Sequence, residues 1–180
     1  MVILEMQDAV CNYLGEILSD EYLLNGKREG ELKQIKFYTQ NLPMPPNVKI
    51  KTREIPLKYQ DFGEADFENL FPFIIVRVDG AERSKFKNDS LFSNYRVNIK
   101  LIIGIYDNSH DLQGYRDVAN IIDKIIFNLE RDKIINQKYL LCDGVKWALP
   151  DENYWPLFYG FMDLILETGY PQEKLKAAWV

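Results

Sequence analysis

Hydrophobic positions near the N-terminus recur in steps of three and four residues. The apolar side chains that share this spacing are Ile3, Met6, Val10, Tyr13 and Ile17. Acidic and amide side chains fall between them. The spacing predicts an amphipathic helix over residues 2–18, with one apolar stripe facing a core. A helix of this length is marginal alone in water, so we expect it to be stable only when docked.

Regular periodicity is then lost for about fifty residues, apart from a short predicted strand at 35–39. Residues 19–33 are polar and mixed. Residues 40–71 first carry three prolines in four positions and then acidic and aromatic side chains by turns. Proline excludes both a helix and a central strand here. We therefore predict one long irregular connection over residues 40–71, of the kind that is often functional or disordered.

Two strands are predicted next. Residues 73–78 form a β-branched run that the turn signal Asp79-Gly80 is expected to end, and residues 81–94 are expected to be a polar loop. Along residues 95–106 every second position is apolar, and the positions between them begin as polar with Arg96, Asn98 and Lys100. The polar face of this strand becomes apolar at Ile102 and Tyr106, which indicates that half of the strand is covered on both sides.

In the second half of the chain the pattern predicts one helix followed by two strands. A helix is expected to begin after a cap at Ser109 or Asp111 and to run to about residue 131. Its apolar stripe consists of Val118, Ile122, Ile125 and Leu129, widened by Ile121 and Ile126. Two further strands are predicted, at 139–149 with a turn at Asp143-Gly144, and at 154–167.

These elements predict one α+β domain over residues 1–180, with the insertion at about 40–71. We expect a mainly antiparallel sheet of about four to five strands, with the two amphipathic helices packed on it. A strand that is apolar on both faces, such as the one at 154–167, is typical of a central position.

Composition narrows the setting. The chain has 22 Lys and Arg against 27 Asp and Glu, a net charge of −5. This balance lacks the basic footprint of a nucleic-acid-binding protein. The two cysteines, Cys11 and Cys142, are far apart in apolar surroundings and are expected to be buried free thiols in a reducing compartment. No apolar run reaches membrane-spanning length, and the N-terminus lacks a basic region of the signal-peptide kind. We therefore expect a cytoplasmic protein.

The sequence offers little that points to catalysis. The single histidine, His110, lies between Ser109 and Asp111, and three consecutive residues cannot converge as a catalytic triad. Two distant cysteines and one histidine supply no zinc-ligand pair, and no glycine spacing fits a phosphate loop. We expect no enzyme activity, no metal and no cofactor.

Carboxylate-bound magnesium is the alternative that the residues leave open. Acidic side chains cluster at Asp61, Glu64, Asp66 and Glu68. Asp107 and Asp111 also flank a strand end. However, the polar face of the long strand offers Arg96, Asn98 and Lys100, without the acid that a metal nuclease needs there. Metal-dependent phosphoryl transfer is thus the weaker reading.

Several stretches resemble the tail terminator and tail-completion proteins of long-tailed bacteriophages and prophages. One is Ile102-Ile103-Gly104-Ile105-Tyr106-Asp107 at a strand end, and it is followed by Gly114-Tyr115-Arg116-Asp117. Residues 72–77, 147–150 and 154–160 are similar too. The resemblance covers about residues 70–168.

This resemblance implies an α+β fold, self-association into a ring (typically a hexamer), and binding to the last ring of tail-tube protein. Such a ring stops tube polymerisation and then presents a surface to the head-tail connector protein. The family implies no catalysis, no membrane and no sequence-specific binding to nucleic acid. It places the protein in the bacterial host cytoplasm during assembly and afterwards in the virion tail.

A cyclic assembly needs two different surface patches on each subunit. The row Arg96, Asn98 and Lys100 is basic, whereas the loop with Asp61, Glu64 and Asp66 is acidic. Because their charges are opposite, we hypothesise that they meet between neighbouring subunits. We also expect Asp107, Arg116 and Asp117 to orient the strand-to-helix turn by hydrogen bonding.

Other roles stay open at this point. A head-closure or connector adaptor would act at the neighbouring joint of the same particle. A regulatory or binding module of a prophage is a third class, and a metal-dependent enzyme is a fourth. A neighbouring reading frame for a tail-tube protein would favour the first role, whereas Mg²⁺- or Mn²⁺-dependent activity would favour the last.

Overall fold

The computed structural model describes residues 2–24, 32–43, 69–85, 93–108, 113–151 and 155–168. These residues form two helices and eight strands in an α+β arrangement. The helices are α1 (Val2–Ile17) and α2 (Gly114–Asp132). The strands are β1 (Tyr22–Leu24), β2 (Leu32–Gln34), β3 (Lys36–Thr39), β4 (Phe73–Lys85), β5 (Ser93–Tyr106), β6 (Ile134–Ile135), β7 (Tyr139–Ala148) and β8 (Leu157–Thr168).

The main sheet has six strands in the order β3-β4-β5-β8-β7-β6, and β1 pairs with β2 in a separate two-stranded sheet. Within the main sheet only β3 and β4 are parallel, and the other neighbours are antiparallel. The α+β class with two helices is confirmed, but the expected count of four to five strands is wrong. The count fell short because β1, β2 and β6 have only two or three residues, too few to show a period.

One face of the main sheet carries the core. Along β5, Val97, Ile99 and Leu101 are buried on this face together with α2 residues of the predicted stripe. The predicted stripe of α2 is confirmed, since Val118, Ile121, Ile122, Ile125 and Leu129 are all buried. In α1 the buried stripe is centred on Met6, Val10 and Leu14, whereas Ile3, Tyr13 and Ile17 are only partly buried.

The sheet curls around the two helices. Helix α2 packs on β5, β8 and β7. Helix α1 contacts β3, β4 and β5, which lie together in the strand order, and also β6, the strand at the opposite edge of the sheet. Polar contacts support this placement of α1. The Gln7 side-chain amide donates to the Val76 carbonyl at 2.6 Å, and Lys138, beside β6, lies 3.2 Å from Glu5.

Strand β4 is longer than predicted. The expected turn at Asp79-Gly80 is instead a β-bulge, because the register with β5 shifts between Val78 and Gly80 and then continues to the pair Lys85 and Ser93. The polar loop expected at 81–94 is therefore strand at both ends, and residues 86–92 lie outside the described residues. Asp-Gly is a turn signal where a strand ends, but here β5 continues alongside β4, so the extra residue is accommodated as a bulge.

Three other boundaries differ from expectation. Helix α2 begins at Gly114, and its N-cap position is Gln113, which makes no side-chain capping bond. The proposed caps Ser109 and Asp111 lie outside the described residues. A turn was expected at Asp143-Gly144. These two residues are instead part of β7, at an irregularity between Cys142 and Lys146. Strand β8 begins at Leu157, after a turn at residues 155–156.

Most of the predicted irregular connection at 40–71, from residue 44 to residue 68, lies outside the described residues. At the first end of this connection, the Gln40 backbone N–H donates to the Val76 carbonyl. At the other end, Phe71 is buried. Neither described helix combines the length and the hydrophobicity that a membrane crossing needs.

Candidate functional site

The sheet face opposite the core, which we call the outer face, has a polar half. Arg96, Asn98 and Lys100 alternate along β5 with the fully buried Val97 and Ile99. Period-two alternation therefore places all three polar side chains on the outer face.

Acidic side chains of the neighbouring strands lie beside this basic row. Lys100 Nζ is 3.5 Å from Asp79 Oδ2 on β4 and 3.7 Å from Asp163 Oδ1 on β8. Arg96 Nη1 is 3.8 Å from Glu167 Oε1, also on β8. These side chains are partly exposed, so each pair is worth less than about 1 kcal/mol. The row thus presents mixed charge rather than a purely basic stripe.

The predicted contact between this row and an acidic loop stays a prediction. Asp61, Glu64 and Asp66 lie outside the described residues. In the same subunit, carboxylates of β4 and β8 already lie beside Arg96 and Lys100.

The other half of the outer face is apolar and forms a second cluster. Phe71, Phe73, Ile75 and Tyr106 are its buried members. The rings of Phe71 and Phe73 have centroids 4.8 Å apart. Gly104 allows the Phe73 ring to lie flat on β5, because a Cβ at this position would be 2.4 Å from Phe73 Cζ. The second half of β5 therefore contacts hydrophobic residues on both faces of the sheet, and this prediction is confirmed.

The junction between β5 and α2 is built around Asp107, which is buried. Its Oδ2 accepts a hydrogen bond from the Gly114 backbone N–H at 2.9 Å. Its own backbone N–H donates to the Pro156 carbonyl at 2.9 Å. One residue thus joins the end of β5, the start of α2 and the turn before β8. The carboxylate also performs the capping role that Gln113 leaves unfilled.

Close packing at the same junction requires a glycine. A Cβ on Gly114 would lie 2.3 Å from Cδ2 of the Phe158 ring. The first turn of α2 can therefore approach β8 only because residue 114 has no side chain.

Arg116 and Asp117 belong to this first turn. Their backbone N–H groups donate to the Gln113 carbonyl at 2.8 and 3.2 Å. Burial raises the pKa of the Asp117 carboxyl above its ordinary value, and the nearby charge of Asp107 raises it further. The Arg116 side chain donates to Tyr115 Oη at 3.0 Å. Whether the side chains of Arg116 and Asp117 orient the turn stays a prediction.

Two large aromatic side chains flank the Asp107 junction and are half exposed. Tyr115 follows Gly114 and is 48% exposed, while Trp155 precedes Pro156 and is 54% exposed. The Arg116 guanidinium lies 5.8 Å from the centre of the Tyr115 ring. We call Tyr115, Arg116 and Trp155 the junction surface. Tyrosine, tryptophan and arginine are the residue types that most often dominate the energy of protein interfaces.

No hydrophobic or polar period of the sequence marks Tyr115 and Trp155 as interface residues. Both belong to stretches that carry the resemblance, and both sit next to a glycine or proline. That neighbourhood could have marked them as turn aromatics. Their position beside the Asp107 junction could not be foreseen, because it depends on hydrogen bonds between residues far apart in the chain.

The remaining predicted features concern thiols and metals. Cys11 and Cys142 are free thiols, as expected, although both are half-buried rather than buried. Burial raises the pKa of the Cys11 thiol to about 11, so it is protonated at neutral pH. Within the described ranges, no three His, Cys, Asp or Glu side chains are grouped so that they could hold a metal ion.

A scan against protein-family models finds no match to this chain, and a search of the curated proteins finds none.

Proposed function

We propose that this chain is a structural assembly protein that caps the tail tube of a long-tailed phage or prophage. In this role it forms a ring on the last tube ring, stops polymerisation, and joins the tube to the head connector. It acts in the bacterial host cytoplasm during assembly and stays in the virion tail. It performs no catalysis and uses no cofactor.

The junction surface is the observation that carries this proposal. Three of the stretches on which the family resemblance rests contain Asp107, Gly114 and Pro156, and hydrogen bonds hold these residues together. Tyr115 and Trp155 stand beside them, about half exposed. These stretches of resemblance thus converge on the Asp107 junction, where Tyr115 and Trp155 are the exposed aromatic neighbours of the bonded residues.

The physical role of such a surface is to bury aromatic area against a partner. Burial of apolar surface is worth roughly 25 cal/mol per Å² before the costs of association. A rigid backbone keeps those costs low, and the hydrogen bonds of Asp107 fix Gly114 and Pro156, the chain neighbours of the two aromatic residues, to the end of β5. We therefore assign the junction surface to contact with the tube end.

The test uses purified tube protein from the same genome. Tube lengths are measured by electron microscopy with and without an excess of this protein. We expect growth to stop in its presence. Unchanged growth at saturating protein would refute the capping role. Binding to the connector protein without any effect on tube growth would favour the alternative, a head-closure adaptor.

Variants make the test specific for the junction surface. Tyr115→Ala and Trp155→Ala together should raise the concentration needed to stop growth by about 30-fold, the effect of losing roughly 2 kcal/mol of contact energy. Phe127→Ala is the matched control, because Phe127 is an aromatic residue of α2 that is 67% exposed. It should stop growth like the wild type. Equal loss in both variants would indicate that no particular surface is used.

A further inference from the structure

Helix α1 touches the two outermost strands of the main sheet. The strand order begins with β3 and ends with β6, and α1 contacts both of them. The curl of the sheet thus brings its opposite edges to one helix. Both edge strands are short, since β3 pairs with four residues of β4 and β6 with two residues of β7. Such short ladders supply few hydrogen bonds, so these strands depend on packing against the helix.

One flank of α1 faces the β3 edge. The buried Gln7 side-chain amide donates to the Val76 carbonyl at 2.6 Å and to Oε1 of Gln40, the residue after β3, at 3.2 Å. About two turns further along the helix, a Cβ on Gly15 would lie 4.0 Å from Cε2 of Phe37 in β3. The helix and this edge strand are therefore joined by hydrogen bonds and by direct packing.

The opposite flank of α1 faces the β6 edge. Lys138 Nζ, in the turn between β6 and β7, lies 3.2 Å from Glu5 Oε2. Tyr13 Oη donates to Oδ2 of Asp132, the last residue of α2 before β6, at 2.9 Å. The apolar stripe between the two flanks is fully buried and consists of Met6, Val10 and Leu14. One docked helix is thus held to both edges of the sheet.

Within the sheet, the path from β3 to β6 is interrupted twice. The ladder between β4 and β5 shifts register before Gly80, which pairs with Asn98. The ladder between β7 and β8 shifts after Cys142, which pairs with Ile165, and Ile165 is opposite Asn98. Both shifts therefore lie at one level, with β3 on one side of it and β6 on the other. Because such irregularities disrupt a ladder locally, α1 is the more direct connection between the edges.

We propose that α1 couples the two edges of the sheet. Docking and release of this one helix decide whether β3 and β6 are formed, so that loosening one edge also loosens the other. A 16-residue helix is marginal alone in water and gains its stability from docking, which gives it a docked and a released state.

Both edges act on this one equilibrium, which is the physical requirement for coupling between distant sites. A partner that holds β3 in place therefore also holds β6 in place. The coupling belongs to the single subunit and does not depend on the tube-capping role.

Hydrogen exchange of single backbone amides, followed by NMR, tests the coupling. The reporters are the amides of Lys36 and Gln40 at the β3 edge and of Leu141 at the β6 edge, which all donate to backbone carbonyls at 3.0 Å or less. In the wild type their protection factors should agree within about threefold, because one event opens both edges. These factors should be at least about tenfold lower than those of the β5–β8 ladder, which opens only with the whole fold.

Gln7→Leu loosens α1 from the β3 edge alone. It removes hydrogen bonds in a buried site and should accelerate exchange at Lys36 and Gln40 about tenfold. Exchange at Leu141, on the far edge, should rise by the same factor to within about twofold.

Lys138→Ala approaches from the β6 edge. It removes an exposed ion pair and should accelerate exchange at Lys36 and Gln40 about two- to threefold. Lys146→Ala, at an exposed lysine of β7, is the matched control and should leave both rates as in the wild type. An effect of Lys138→Ala no larger than that of the control would contradict the coupling.

Val10→Ala weakens docking without changing any polar contact of α1. It leaves a cavity under the helix and should accelerate all three reporters by a common factor of at least about ten. Unchanged protection of Leu141 in Gln7→Leu and Val10→Ala would overturn the proposal, because the edges would then open separately. Reporter protection equal to that of the β5–β8 ladder would overturn it too, because the edges would then open only with the whole fold.

Discussion

The Asp107 carboxylate accepts a hydrogen bond from the backbone N–H of Gly114, seven residues further along the chain, at 2.9 Å. This bond connects the end of the central strand β5 to the start of α2. It also places a negative charge at a helix N-terminus, where the helix dipole favours it.

Removal of this carboxylate should therefore lower stability. We expect Asp107→Ala to reduce the free energy of unfolding by about 1–2 kcal/mol, the usual cost of losing a capping side chain. Urea denaturation followed by circular dichroism measures the change. Asp123→Ala, an exposed aspartate of the same helix, is the control and should lose nothing. Equal stability of the two variants would show that the bond at Asp107 contributes little.

Gln7 and Gln40 are expected to act as a coupled pair. The buried Gln7 amide donates to the Val76 carbonyl at 2.6 Å and to Gln40 Oε1 at 3.2 Å, and the same Oε1 accepts the Val78 N–H. Gln7→Leu should cost about 1–2 kcal/mol, because it removes hydrogen bonds in a buried site. A double-mutant cycle with Gln40→Ala should give a coupling energy of at least about 0.5 kcal/mol.

Hydrogen exchange checks the same network at one atom. In Gln40→Ala the Val78 amide loses its acceptor, so its exchange should accelerate at least about tenfold relative to the amides of β5. Unchanged protection of the Val78 amide would mean that another group accepts this hydrogen.

Gly104 should tolerate no side chain. A Cβ there would lie 2.4 Å from Phe73 Cζ, so Gly104→Ala should lower the free energy of unfolding by about 1–3 kcal/mol through overpacking. Phe73→Leu in the same chain should recover part of the loss, since it removes the clashing ring. Gly144→Ala is the matched control, with nothing within 4 Å of its Cβ position, and should be nearly neutral. Thermal or urea denaturation of these three variants and the wild type completes the comparison.

Asp117 should make stability depend on pH. Its pKa is raised in the folded protein, by burial first and by Asp107 second. A raised pKa means that the folded state favours the protonated carboxyl. The stabilising contribution is therefore fully present below the unfolded pKa and is lost as pH rises through the folded pKa.

Asp117→Asn removes this pH-dependent loss. Relative to the wild type, the variant should be more stable at pH 7, and the gain should disappear toward pH 3. Urea denaturation at several pH values measures the difference, with Asp123→Asn to control for the loss of one charge on α2. A gain that persists unchanged at pH 3 would contradict a raised pKa as its cause.

Local periodicity explains which parts of the fold could be predicted. The alternation along β5 and the stripe of α2 are properties of the chain within one element, and the structure matches both. The parallel pairing of β3 with β4 could not be foreseen, because the sequence of a four-residue strand does not indicate which strand, more than thirty residues away, it pairs with. The bulge at Asp79-Gly80 was interpreted as a turn for a similar reason. The local sequence does not reveal whether the partner strand continues.

The candidate site was predictable only in part. The polar row Arg96, Asn98 and Lys100 follows from alternation, but the carboxylates beside it come from two other strands, and strand order cannot be derived from spacing. Gly114 and Pro156, the neighbours of Tyr115 and Trp155, both bond to Asp107, and Asp107 and Pro156 are forty-nine residues apart by their numbers. Such a contact depends on the tertiary fold and leaves no local pattern.

The placement of α1 has a consequence for synthesis on the ribosome. This helix is synthesised before the described strands, yet the strands that it contacts include β5 and β6, which lie far later in the chain. Until then the native surface that covers its apolar side chains is incomplete. Contacts between such distant parts of a chain slow folding and prolong the exposure of hydrophobic surface. The nascent N-terminal helix is therefore a natural place for a chaperone to bind, and the release of that helix should coincide with completion of the sheet.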